Sequence, residues 1–168
     1  LDVGNTNIKY AVFDREELVI SFRVATDVKK TSDEYGGQLL TILSNNGVNA
    51  ADIRGGIISS VVPQMDYTLE RMCATYLHIK PLTLAPGLKT GLNMRVDNVR
   101  EVGADRVVNN VAGLKKYGAP LIIIDFGTAT TFNVLDEKGE FIGGVIAPGI
   151  KGSLDSLVTV SYTHLRAH

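Results

Sequence analysis

The sequence predicts an α/β fold made of two related halves, the second incomplete. Three observations carry that expectation. β-favouring runs and helical periodicity follow one another in the order strand, strand, strand, helix, strand. One short run, GGIISSVV at 55–62, is almost continuously apolar, as a strand covered on both faces of a parallel sheet requires. Finally, the opening pattern of strand, Gly turn and alternating strand restarts near residue 121.

Taken in order, DVGNT leads into two β-rich runs, NIKYAVFD and ELVISFRVA, separated by charged turn residues, so three antiparallel strands are expected. Over 31–46, Tyr35, Leu39, Leu40, Ile42 and Leu43 follow helical spacing, Asp33 and Glu34 occupy the first turn, and Gly47 stops the helix. After the strand at 55–62, Pro63 suits a helix start and MDYTLERMCATYL supplies the helix, with Met65, Leu69 and Met72 on its core side. PLTLA at 81–85 reads as another strand, and a loop rich in Gly and Asn follows. VGADRVVNNVAGLKKYG then reads as a helix closed by Gly118 and Pro120. LIIIDFGTATTFNVLDEKGEFIGGVIAPG returns to strand, Gly turn, strand, charged turn and strand.

Composition narrows the function. The chain has 168 residues, 45% hydrophobic and 21% charged, which places it among folded globular chains. Lys plus Arg number 17 and Asp plus Glu 18, so a net charge of -1 supplies no attraction to nucleic acid or an anionic membrane surface. No apolar run approaches the roughly 20 residues of a spanning helix. The single cysteine, Cys73, cannot form an internal disulfide and has no neighbours at zinc-ligand spacing, so a cytoplasmic location is expected. His78 follows an apolar helix with no acidic partner nearby and is assigned packing or surface duty.

The chemistry-bearing signal is the pair of Gly turns. LDVGNTNIKYAVFD and IDFGTATTFNVLD match Asp2 with Asp125, Gly4 with Gly127 and Asn5 with Thr128. Glycine lets phosphate oxygens approach backbone N–H groups with no Cβ in the way. A carboxylate beside such a turn would repel phosphate alone, but suits it when a cation bridges the two. Asp, Asn, Gly and Thr are also ordinary hairpin residues, and one copy would read as a hairpin turn. Two matched copies between apolar strands point instead to nucleotide with metal. There is no GxxxxGK[ST] loop, the nearest approach being Gly144 through Lys151 with the Lys displaced, and no GxGxxG fingerprint.

Two halves of the form βββαβαβα, each opening on a phosphate turn, resemble the actin-like (ribonuclease H-like) ATPase fold shared by actin, sugar kinases and Hsp70. Within it, DVGNT at 2–6, GADR at 103–106, DFGTATT at 125–131 and GGVIAPG at 143–149 resemble type III pantothenate kinases over about residues 1–157. On that division residues 1–118 form the first half and 119–157 the start of the second.

The resemblance implies ATP-dependent phosphorylation of pantothenate, the first step of coenzyme A biosynthesis, by a homodimer. It implies that Asp2, Val3, Gly4, Asn5, Thr6, Asn7, Ile8 and Lys9 wrap the ATP phosphates and that Thr128 contacts ATP. Asp125 would bind a monovalent cation (K+ or NH4+), and Asp2 would hold Mg2+ through water or simply cap its turn. Gly103, Ala104, Asp105 and Arg106 would contact pantothenate, with Asp105 accepting the hydroxyl proton; without the resemblance, an acid in a helix's first turn is ordinarily structural. Where the family often has Tyr followed by Asn-Pro, this chain has VDNV, putting Val96 at the substrate position with no hydrogen-bond donor. Arg95 and Arg100 nearby are candidates for attracting a carboxylate, or solvated surface.

Two other functions fit parts of the pattern: a non-catalytic actin-like ATP-binding regulator, for which Val96 speaks and Asp105 does not, and a superfamily kinase acting on another small alcohol. The chain begins without Met at a residue that reads as mid-strand, so its natural N-terminus is expected upstream. Residues 158–168, ending SYTHLRAH, are expected to be a non-native tail, and this chain by itself is expected to have little activity.

Overall fold

In the computed structural model, residues 1–85 and 88–160 are described. They divide into two compact units: Leu1–Leu88 with Gly103–Asp105, and Lys89–Val102 with Arg106–His168.

The first unit is built on β1 (Asp2–Val3), β2 (Asn7–Asp14), β3 (Glu17–Ala25), α1 (Ser32–Asn45), β4 (Ile57–Ser60), α2 (Pro63–Met72) and β5 (Leu82–Thr83). Its sheet has the order β3-β2-β1-β4-β5, with β1, β2 and β3 antiparallel and β4 parallel to both β1 and β5. Alternation along β2 sends Ile8 and Tyr10 into the core while Asn7, Lys9 and Ala11 face outward. These side chains meet Val3 and Ile58 from the sheet, Tyr35, Leu39 and Leu43 from α1, and Met65, Leu69 and Met72 from α2. Ile8, Ile58, Leu69 and Met72 are completely buried, each contributing roughly 1.5–3 kcal/mol of hydrophobic stabilisation. Thr31 opens α1 with a reciprocal capping box: its side chain accepts from the Glu34 N–H while the Glu34 carboxylate accepts from the Thr31 N–H.

The second unit holds β6 (Leu121–Phe126), β7 (Ala129–Leu135) and β8 (Phe141–Pro148), an antiparallel sheet in that order, together with α4 (Ile150–Val160). α3 (Ala104–Tyr117) starts at the seam of the chain's division, and from Arg106 onward it belongs to this unit. The charged turn closes on Asp136, whose Oδ1 accepts from the Lys138 and Glu140 N–H groups, with Gly139 at φ 75. α3 stops where Gly118, at φ 79, donates its N–H to the Leu114 carbonyl. Ile122, Ile124, Phe126 and Val145 are exposed; register places Ile124, Phe132 and Val145 abreast on one face.

The mixed sheet and the second antiparallel sheet agree with the expected actin-like α/β class. Three elements differ in extent. The expected strand at 81–85 shrinks to Leu82–Thr83, because Pro81 has no N–H to offer the ladder. The strand at 55–62 shortens to Ile57–Ser60, and Ile57 is exposed rather than covered. The helix after Pro63 changes pitch at Cys73–Leu77, a π-helical turn ending at exposed His78 in the left-handed conformation, where Cys73 O receives the His78 and Ile79 N–H groups. Of the tail expected at 158–168, residues 158–160 complete α4 and the rest lie outside the described residues.

Candidate functional site

In the first unit, the Gly4 to Asn7 turn is closed by the Gly4 N–H donating to the Asn7 carbonyl at 3.0 Å. A Cβ at position 4 would lie 3.2 Å from that carbonyl oxygen, so the turn favours glycine by space alone. Two further bonds come from Thr26, just past β3: its Oγ1 donates to the Gly4 carbonyl at 2.6 Å and its N–H to the Thr6 carbonyl at 3.0 Å. Asn5, Thr6 and Asn7 are left exposed on the turn. Val3 and Ile8, expected within the phosphate-wrapping run, are core residues with 1% and 0% exposure, so their side chains are not available to a ligand.

Beside the turn lies an open hollow of about 560 Å³, lined by Asn5, Thr26, Asp27, Val61, Val62, Pro63 and Gln64. Its volume is that of a small-molecule site. Pro63 and Gln64 are the first residues of α2, so the positive end of that helix dipole opens onto the hollow, a favourable environment for an anion.

Asp2 and Lys9 are cross-strand partners, and the Lys9 ammonium sits 3.1 Å from Asp2 Oδ2. Both side chains are about half exposed, so the pair is worth at most a few tenths to about 1 kcal/mol and leaves the carboxylate accessible. Among the described residues, no group of three or more His, Cys, Asp or Glu gathers into a metal cage. A lone accessible carboxylate is nevertheless the donor that magnesium uses when it keeps several waters and shares substrate phosphates, so Asp2 fits that role.

Also in this unit are Gly103, Ala104 and Asp105, half-buried at the start of α3. Asp105 Oδ1 lies 2.5 Å from where a Cβ on Gly103 would stand, and Val61 Cγ1 lies 3.6 Å from it. Glycine at 103 therefore makes the room into which the Asp105 carboxylate folds at the start of α3.

In the second unit, the face of α3 turned to the sheet is polar at its N-terminal end. Arg106 Nε donates to Asn133 Oδ1 at 2.6 Å and Nη2 to the Phe132 carbonyl at 3.4 Å, while the guanidinium lies 5.5 Å from the centre of the Phe141 ring. Asn109 Nδ2 donates to Asp125 Oδ2 at 3.0 Å. Farther along α3, Gly113 approaches Leu121 and Ile123. Asp125 is half-buried at the end of β6, just before the turn at Phe126, Gly127 and Thr128. The backbone carbonyls of Gly127 and Thr128 crowd the Cα of Gly149. The Asp125 carboxylate, oriented by Asn109, is a hard oxygen donor of the kind that suits a hard cation.

The upstream loop is otherwise engaged. Arg95 pairs with Glu140 at 3.2 Å, Asn93 Nδ2 also donates to Glu140, and Val96 is half-buried. Arg100 is exposed, within a 3-10 turn whose N-cap is Asn98. Thus the Arg95 charge is already matched within its own unit.

Sequence reasoning missed Thr26, Asn109 and Asn133. Each acts across 16 to 27 residues of chain, and no local pattern marks it. The only available signals were polar residues at positions of strand or helix periodicity that should face the core.

Comparison with known proteins agrees with the family resemblance. The type III pantothenate kinase family model matches residues 1–163, past the point near Leu157 where the resemblance was expected to end. Type III pantothenate kinases of Geobacillus kaustophilus (strain HTA426) and Geobacillus thermodenitrificans (strain NG80-2) are 55% and 54% identical over 157 residues. That of Bacillus cytotoxicus is 53% identical over the same length. These alignments cover 94% of this chain and 60–61% of the relatives, so the chain spans about three fifths of their length. From a match across nearly all its residues, the chain belongs to the type III pantothenate kinase family.

Proposed function

We propose that the protein transfers the γ-phosphoryl group of ATP to the primary hydroxyl of pantothenate, giving 4'-phosphopantothenate and ADP at the entry to coenzyme A biosynthesis. The observation that carries this reading is Asp105–Arg106 opening α3, inside a family match that runs the length of the described chain. Among the described residues no helix is long and apolar enough to cross a membrane; cytoplasmic location and homodimerisation are part of the proposal.

Phosphoryl transfer passes through a loose transition state, so the acceptor hydroxyl needs orientation and late proton acceptance more than prior deprotonation. Asp105 accepts that proton as the hydroxyl oxygen bonds to the γ-phosphorus and the bond to the β,γ-bridging oxygen breaks. Arg106, with Gly103 and Ala104, holds the acceptor. Residues 2–9, through the Gly4 turn and its N–H groups, hold the phosphates, and Thr128 contacts ATP from the second turn. Magnesium at Asp2 and potassium or ammonium at Asp125, when bound, neutralise phosphate charge.

The test is Asp105→Asn in the full-length protein, followed by ADP release with pantothenate and by separate ATP binding. Loss of a general base costs about 10²–10⁴-fold in turnover. Lost turnover with retained ATP affinity is expected, whereas an unchanged rate overturns the assigned mechanism. Wild-type turnover on another small alcohol but not on pantothenate overturns the assigned substrate.

A further inference from the structure

We propose that Asn133, in the middle of β7, is a positioning residue that sets the orientation of the Arg106 guanidinium, with Gly144 making the space. The consequence for substrate rests on the function proposed above; the geometry does not.

Asn133 is completely buried and sits abreast of Ile123 on β6 and Gly144 on β8. Its Oδ1 accepts the Arg106 Nε–H at 2.6 Å, while its Nδ2 has no hydrogen-bond partner among the described residues. Arginine has only donors, so chemistry alone assigns the amide oxygen to the Arg106 side. Leaving a buried amide nitrogen unsatisfied is destabilising, whereas an apolar residue in its place would strand the Arg106 Nε donor instead. What asparagine supplies in the centre of this strand is the acceptor for Arg106 Nε, at the expense of one unsatisfied donor.

Its distinguishing contribution is a charge-assisted bond to Nε, which fixes rotation of the guanidinium about the end of its stem. The Phe132 carbonyl takes Nη2, and the Phe141 ring supports the guanidinium from 5.5 Å. At position 144 a Cβ would strike both the Phe132 carbonyl oxygen and Arg106 Nη2, so glycine is what allows the guanidinium into this slot. Lysine lacks the planar fork and could not use the same seat. β7 and β8 thereby set how a residue at the start of α3 meets an anionic acceptor.

The experiment compares Asn133→Leu, Asn133→Ala and Asn133→Asp in the full-length protein. Nitrogen-detected exchange of the Arg106 Nε–H, assigned with Arg106→Lys, reads positioning directly; protection should persist in wild type and the Asp variant and vanish in the Leu and Ala variants. In steady state, the KM for pantothenate should rise about tenfold or more in the Leu and Ala variants, recover in the Asp variant, and leave the KM for ATP unchanged. The Leu and Ala variants both lose the acceptor for Arg106 Nε and should melt below wild type, so the split between the two KM values, not the Tm, separates positioning from a purely structural role. Persistent Nε–H protection in the Leu variant, or equal rises in both KM values, overturns the proposal. If the Leu variant does not fold, the Asp and Ala pair decides by the same readings. If wild type does not phosphorylate pantothenate, the proposed function fails while Nε–H protection still decides the positioning.

Discussion

Thr26→Val probes the hold on the first Gly turn with a single changed group. Among the hydrogen bonds that secure that turn are an internal one, from the Gly4 N–H to the Asn7 carbonyl, and two from Thr26. Valine keeps the side-chain shape and the backbone bond to Thr6 but removes the 2.6 Å hydroxyl bond to the Gly4 carbonyl. The net value of such a bond is about 0.5–1.5 kcal/mol, rising to about 3 kcal/mol if the stranded acceptor cannot reach water. Gly4 is only half-buried and its neighbours Asn5 and Thr6 are exposed, so water reaches the site and the lower figure, about 1 kcal/mol, applies. For a chain of this size that is a fall of about 2–4 °C in Tm. On the proposed function, a turn loosened by the same energy should raise the KM for ATP about fivefold and leave that for pantothenate unchanged. Melting curves and initial rates measure both effects, with Thr26→Ser as the control that restores the hydroxyl. An unchanged Tm and unchanged KM for ATP would refute the assignment of Thr26 as the latch of the Gly4 turn.

On the cation role proposed for Asp125, Asn109→Leu removes the donor on its carboxylate, so the potassium concentration for half-maximal activity should rise about tenfold or more in a cation titration, with little change at saturation. Leu69→Ala removes a side chain with 0% exposure from the first unit's core and should cost about 2–5 kcal/mol by urea denaturation. Glu34 is held below the usual carboxylate range, first by the Thr31 backbone N–H and then by the Thr31 side chain. A depressed folded pKa means stability present above the unfolded value and lost as pH falls through the folded one. The stability difference between wild type and Glu34→Gln should therefore be greatest near neutrality and shrink as the pH falls below about 4.3.

Local chemistry was legible without coordinates. Gly turns between alternating strands, helix starts at residues 31 and 63, and the stop at Gly118 each depend on neighbouring residues, so pattern suffices. Met65, Leu69 and Met72 read correctly as core because one amphipathic helix has one apolar stripe. Element lengths were less legible. β5 ends where its pairing with β4 ends, and the pitch change at Cys73 lies in a stretch whose helical periodicity gave no warning.

The sequence by itself determined the α/β class, the paired Asp–Gly turns and the GADR segment, because each is written in contiguous residues whose backbone or helix-end chemistry is local. Tertiary structure alone decided what holds those groups: Thr26 on Gly4, Asn109 on Asp125, and Asn133 with Gly144 around Arg106. These contacts depend on strand register and on which face of α3 meets β6 and β7. A one-residue slip would turn Asn133 to the opposite face of the sheet, so their physical cause is packing between distant segments, which no contiguous motif records.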